Sequence, residues 1–172
     1  LAGARDAGAV PVVLTGTGTS FSAGVDLFRV VREGDSYVSR FLPALGDLLV
    51  ELFTYPGPLV AAVNGHAVAG GALVAWCGDL RVMAAGRGRI GVPELRVGVP
   101  FPAAAVEILR FATGGRGLQA LAYVGRTLPP EAARGEAALI TRLAPDETAA
   151  RAWADLAQTL TLRARRGRAG SR

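Results

Sequence analysis

Two short stretches of this chain carry the residue types that can hold a developing negative charge. They are Phe21-Ser22-Ala23-Gly24-Val25-Asp26-Leu27 and Gly65-His66-Ala67-Val68-Ala69-Gly70-Gly71. Each follows an apolar strand-like run and ends at what reads as a helix start. A turn of that kind leaves backbone N–H groups without intrahelical acceptors. Glycine lets a ligand approach those groups without meeting a Cβ. If the two preceding strands are neighbours in one sheet, the two turns lie side by side and two N–H donors converge on one oxygen. That is an oxyanion hole, in which each donor is worth about 3 kcal/mol to the transition state.

The remaining chemistry-bearing residues are sparse. His66 is the only histidine, and a lone histidine in a glycine-rich turn is usually a packing or hydrogen-bonding group. Cys77 is the only cysteine; beside a buried helix it reads as inert. One cysteine excludes an internal disulfide and fits a reducing, cytoplasmic setting. Ser20 and Ser22 have no Asp and His at recognisable triad positions. No Cys, His or carboxylate cluster has metal-ligand spacing, so no metal is expected. Gly16 and Gly18 hint at a phosphate loop, but neither GxGxxG nor GK[ST] follows. Asp79 reads as a group that stabilises a sheet junction. Glu94 follows Pro93, and in isolation it reads first as a surface cap or a partner for Arg96.

The elements that must position these groups centre on residues 59–78, LVAAVNGHAVAGGALVAWCG. Leu59-Val60-Ala61-Ala62-Val63 is a strand by composition. Asn64-Gly65-His66 breaks it, and Ala72-Leu73-Val74-Ala75-Trp76 reads as a short buried helix. The stretch carries no charge and is long enough for a membrane span. Its four glycines, with Asn64, His66 and the preceding Pro58, argue for strand, turn and helix instead.

Upstream, Val10-Pro11-Val12-Val13-Leu14-Thr15 reads as a buried strand that enters a loop of small residues. Asp26 suits a helix cap. Residues 35–54 are helical by the spacing of Tyr37, Phe41, Leu45, Leu48, Leu49 and Leu52, and Pro56-Gly57-Pro58 stops them. Downstream come a strand at residues 80–84, a short strand at 89–92 and an irregular segment at 95–102. A helix at 103–112 breaks at Gly114-Gly115, and a second helix at 116–123 follows. A short helix at 131–134, a strand at 138–143 and a final helix from 146 to about 162 complete the chain. Strands alternate with helices, which predicts a mostly parallel α/β arrangement.

The composition is that of a globular domain. The chain has 172 residues, 51% hydrophobic and 6% aromatic, so its core rests on Ala, Val and Leu and disorder is excluded. The net charge of +5 is carried by a tail: Arg163, Arg165, Arg166, Arg168 and Arg172 lie near the end, and without them 14 Arg face 14 acids. The body is neutral, and nucleic-acid binding is not expected of it; a solvated terminus explains the tail. No signal peptide opens the chain, and the lack of Met at position 1 points to a start inside a longer protein.

Three segments in order, VVLTGTGTSFSAGVDL, LVAAVNGHAVAGGALVAWCGDLRVMA and IGVPELRVGVPF, resemble the consecutive signatures of the crotonase, or enoyl-CoA hydratase/isomerase, superfamily over residues 10 to about 147. The resemblance implies a spiral of ββα turns, with residues 1–143 as the crotonase core and 144–172 as a C-terminal helical segment with an Arg-rich tail. The family's first strand–helix unit, with its nucleotide-holding loop, is expected to be truncated here. C-terminal helices imply a homotrimer or a dimer of trimers. The implied substrate is an acyl-CoA thioester of lipid metabolism, with no separate cofactor. Val25 and Gly70 are the implied oxyanion-hole donors, and Ala23, Asp26, Leu27, Leu73 and Phe101 the implied substrate contacts.

Hydratases of the family use two glutamates. The first falls three residues after the donor glycine, where this chain has Leu73. The second falls in the Pro-Glu segment, where Glu94 stands. Moving a double bond from carbon 3 to carbon 2 needs only one base, and family members resembling Δ3,Δ2-enoyl-CoA isomerases keep only that second glutamate. The resemblance therefore implies an isomerase with Glu94 as its base. Hydration of 2-enoyl-CoA and a non-catalytic acyl-CoA-binding or interaction module are the alternatives.

Overall fold

The computed structural model describes residues 1–135, Ile140, residues 142–144, Asp146 and Asp155. The described elements, in chain order, are α1 (Ala2–Asp6), β1 (Val12–Thr15), β2 (Ser20–Ser22), α2 (Leu27–Glu33), α3 (Asp35–Phe53), β3 (Leu59–Val63), β4 (His66–Val68), α4 (Gly70–Trp76), β5 (Leu80–Ala84), β6 (Ile90–Gly91), a 3₁₀ turn (Glu94–Val97), α5 (Ala103–Leu118), a π turn (Gln119–Tyr123), β7 (Thr127–Leu128), α6 (Pro130–Gly135) and β8 (Arg142–Ala144).

Two sheets form, in the orders β1-β3-β5-β8 and β2-β4-β6-β7. All neighbours in the first are parallel. In the second only β6 and β7 run antiparallel. The chain thus places one strand in the first sheet, the next in the second, and returns through helical structure before repeating the step. Each pass is a ββα turn, as the sequence resemblance implies.

Burial explains the order. β3 is buried at every residue, the pattern of a strand covered on both faces. Trp76, Leu73 and Leu49 fill the space between α4, α3 and the sheet. α4 packs so closely on β2 that a Cβ on Gly71 would lie 2.2 Å from the Ser22 carbonyl oxygen. Asp79 joins the strands as expected: its N–H donates to the Leu59 carbonyl at 2.8 Å, and Leu59 N–H donates to its carboxylate at 2.8 Å.

Several expectations are corrected. β1 is half-buried, not buried, because it is the outer strand of its sheet. The loop of small residues contains β2, and the break after β3 leads into β4. The helices expected on either side of Gly114-Gly115 merge across a kink at Gly114, where φ is 69°. The last strand lies at Arg142–Ala144, a little beyond the expected 138–143. The final helix and the Arg-rich tail of segment 144–172 lie outside the described residues. Among the described residues no helix is long and apolar enough to cross a membrane; residues 59–78 form β3, β4 and α4.

Candidate active site

A buried amide ties the two turns together. Asn64 is 2% exposed. Its Oδ1 accepts from Gly16 N–H at 3.0 Å, and its Nδ2 donates to the Gly18 carbonyl at 2.7 Å. The loop after β1 is thereby held against the end of β3. β2 then pairs in parallel with β4, so both strands deliver their following turns to the same edge. A Cβ on Gly24 would lie 2.9 Å from the Ala69 Cβ and 3.2 Å from Gly70 N. The two turns are in contact, and Gly24, at φ 88°, is the residue that permits it.

Ala69 precedes α4 at φ 56° and ψ −129°, a region that costs a residue with a Cβ about 1–3 kcal/mol. It is held there from both sides. Its N–H donates to Gly91 at 2.9 Å, and its carbonyl accepts from Ala72 at 2.9 Å and Leu73 at 3.3 Å. The strain turns the next amide, Gly70, out of the ladder. Among the hydrogen bonds of the described residues, neither Gly70 N–H nor Val25 N–H has a protein acceptor. Both residues line one cavity of about 210 Å³.

Ala23, Leu27, Leu73 and Phe101 line the same cavity. Asp26 does not. Its exposed carboxylate accepts from Arg29 N–H at 3.1 Å and caps α2, so its place in the site is structural: it starts the helix that carries Leu27. His66 begins β4, half-buried and outside the cavity lining. Cys77 is buried, and desolvation pushes its thiol up to about 12, which leaves it protonated and unreactive. Phe41, Leu42 and Leu45 of α3 also line the cavity. The stripe that holds Phe41 and Leu45 was readable in the sequence, Leu42 is not part of it, and nothing local says what that stripe faces.

Glu94 opens the 3₁₀ turn and, among the described residues, is the only ionisable one of the lining. Its Oε2 is buried with no hydrogen-bond partner. Burial pushes its carboxyl above the ordinary carboxylate range, opposed only in part by a hydrogen bond from its own backbone N–H. No ion pair joins it to Arg96 among the described residues. A carboxyl raised by desolvation and facing an apolar space suits proton transfer near neutral pH. Leu73, 1% exposed, presents only hydrocarbon from the first turn of α4.

The chain matches the enoyl-CoA hydratase/isomerase family over residues 2–167 and belongs to it. An enoyl-CoA isomerase/hydratase of Mycosarcoma maydis is 30% identical over 149 residues, covering 87% of this chain and 54% of that protein. The mitochondrial enoyl-CoA delta isomerase 1 of Homo sapiens is 30% identical over 128 residues, 74% of this chain and 42% of that one. A Thermus thermophilus relative bearing an enoyl-CoA hydratase name is 41% identical over 144 residues, 81% of this chain and 55% of that one. Among solved structures, a Mycobacterium tuberculosis protein described as an enoyl-CoA isomerase in one structure and as a probable enoyl-CoA hydratase in another superposes with a TM-score of 0.81 and 0.80 respectively at 30% identity, over 92% of this chain and 67% of that one. The chain spans about half the length of the curated relatives it matches.

Proposed function

We propose that this chain is an acyl-CoA enzyme that converts Δ3-enoyl thioesters into Δ2-enoyl thioesters. The thioester oxygen accepts hydrogen bonds from the Val25 and Gly70 amides. Glu94 removes a proton from carbon 2, and the electrons move onto the thioester oxygen as a conjugated enolate. The two amides stabilise that charge as it forms. The enolate then collapses, the double bond settles between carbons 2 and 3, and Glu94 returns the proton to carbon 4. No atom is gained or lost.

The observation that carries the reading is the solitary carboxyl: Glu94, with a buried unpartnered oxygen, is the one ionisable group among the described residues of the lining. Hydration needs a second group to activate water, and the position that would supply it holds Leu73. The hydratase names among the relatives favour hydration of 2-enoyl-CoA as a second reading. With the reading go a homotrimer or dimer of trimers, and a cytoplasmic setting in which the Cys77 thiol stays reduced.

The test is to assay 3-enoyl-CoA isomerisation and 2-enoyl-CoA hydration with wild type and Glu94→Gln. Isomerisation by wild type that Glu94→Gln loses, with acyl-CoA affinity kept, supports the proposal. Undiminished turnover in the variant removes Glu94 from the mechanism. Acyl-CoA binding with neither reaction would leave a binding module.

A further inference from the structure

We infer that Phe41 is the end stop of the acyl cavity and that it selects an unsubstituted, medium-length acyl chain of about eight carbons. The inference rests on the acyl-CoA reading above and names the part of the substrate that reading leaves open.

The direction of the cavity follows from α3. A Cβ on Gly70 would lie 3.9 Å from Leu45 Cδ1, so Leu45 marks the end where the thioester oxygen is held. Phe41 precedes Leu45 by one turn, about 6 Å along the helix axis, and lines the same cavity together with Leu42. A chain leaving the thioester along α3 therefore meets Leu45 first and the Phe41 ring last.

That ring is held in place. Tyr37 stacks on Phe41 with centroids 5.5 Å apart and planes 20° from parallel. The Arg29 guanidinium sits 4.5 Å over the Tyr37 ring, and Glu33 fixes Arg29 at 2.9 Å. The stack runs from the surface of α2 to the cavity wall, and none of its outer members lines the cavity. A ring backed in this way resists the rotamer change that would admit a longer chain.

Size and polarity then define the ligand. A closed apolar cavity of ~150 Å³ holds a benzene, six carbons. By the same ratio the 210 Å³ within these walls hold roughly eight chain atoms, with the mouth beside Leu27 and Val97, which are 54% and 65% exposed. Beyond Glu94 no described lining residue carries a polar side chain, so a hydroxyl or second carboxylate on the chain would meet no side-chain partner among them.

The test is a length series of 3-enoyl-CoA substrates from about four to about sixteen carbons, with affinities of the matching saturated acyl-CoAs by calorimetry. Wild type should peak near eight carbons and lose about tenfold in kcat/KM for each methylene that does not fit. Phe41→Ala opens space for roughly six chain atoms and should move the optimum to about twelve carbons or more, and Phe41→Trp should move it below eight. Tyr37→Ala, outside the cavity, should broaden the profile toward longer chains while leaving short substrates unchanged. An optimum that stays in place in both Phe41 variants, or in Phe41→Trp and Tyr37→Ala if Phe41→Ala does not fold, overturns the inference. Length-selective calorimetry without turnover would keep the end stop and sink the isomerase reading; turnover with a flat length profile would do the reverse.

Discussion

Asn64 commits both ends of its buried amide to the loop of Gly16 and Gly18, whereas Glu94 keeps a buried carboxylate oxygen with no partner. Both are polar groups drawn inside by neighbouring apolar strands and turns. The first is satisfied because it holds the architecture. The second is unsatisfied, which leaves its oxygen free for the proton transfer proposed above. A buried polar atom without a partner costs about 1–3 kcal/mol, a cost this fold tolerates at its cavity and avoids at its loop junction.

The contrast breaks most visibly at Glu94. Glu94→Gln should lower the isomerisation kcat by about 10²–10⁴-fold, with acyl-CoA affinity changed little, because the amides of Val25 and Gly70 remain. A variant that loses affinity and kcat together would place Glu94 in binding and not in proton transfer.

Asn64→Ala should act on the other side. It removes the two hydrogen bonds that Asn64 makes to Gly16 N–H and the Gly18 carbonyl, at about 2 kcal/mol of stability, which is roughly 6 °C in Tm for a chain of this size. Activity should fall only as far as the first turn loosens. Thermal unfolding followed by circular dichroism checks it, and an unchanged Tm would mean that water replaces the amide.

The two groups should also separate with pH. Burial raises the Glu94 carboxyl above its ordinary value of 4.5, so the native state holds that proton more tightly than the unfolded chain. The associated stability is full below 4.5 and is lost as pH rises through the raised folded value. Glu94→Gln should therefore be more stable than wild type at neutral pH, with the gap closing on acidification. The base must be ionised to act, so the acidic limb of the activity profile should lie above the ordinary glutamate range. Tm difference curves against pH check the first expectation, and kcat/KM profiles the second.

The smallest effect is expected at Ala69. Glycine relieves the positive φ but adds entropy to the unfolded chain, so Ala69→Gly should change stability by under about 1 kcal/mol. A larger loss would mean that the Ala69 methyl, packed toward Gly24, sets the spacing of the two donor turns.

Much of this was legible in one dimension. The uncharged run at 59–78 carries its strand, its turn and its helix start in the types and order of its residues. Periodicity places α3 within a residue of its observed ends, the glycine turns point to freed amides, and the family resemblance implies Val25 and Gly70 as the donors. The two- and three-residue strands β2, β4 and β7 show no period over so few positions, and only partner strands across the second sheet define them, whereas β6 falls within the strand expected at 89–92. Asp26 is a related case: its type announced a cap and the family resemblance implied a substrate contact, and the start of α2 took it for the cap.

By itself the sequence determined which groups exist to do chemistry: amides freed by glycine and one carboxyl after a proline, with the family resemblance adding that Leu73 stands where a second acid would be. Those are properties of residue type and near neighbours, which the chain carries into any environment. Tertiary structure alone decided that the two turns touch, that α3 walls the cavity, and that Glu94 is desolvated rather than paired with Arg96. Each of these depends on segments dozens of residues apart being brought together. Burial and contact are properties of that assembly, and no local pattern encodes what the opposite wall will be.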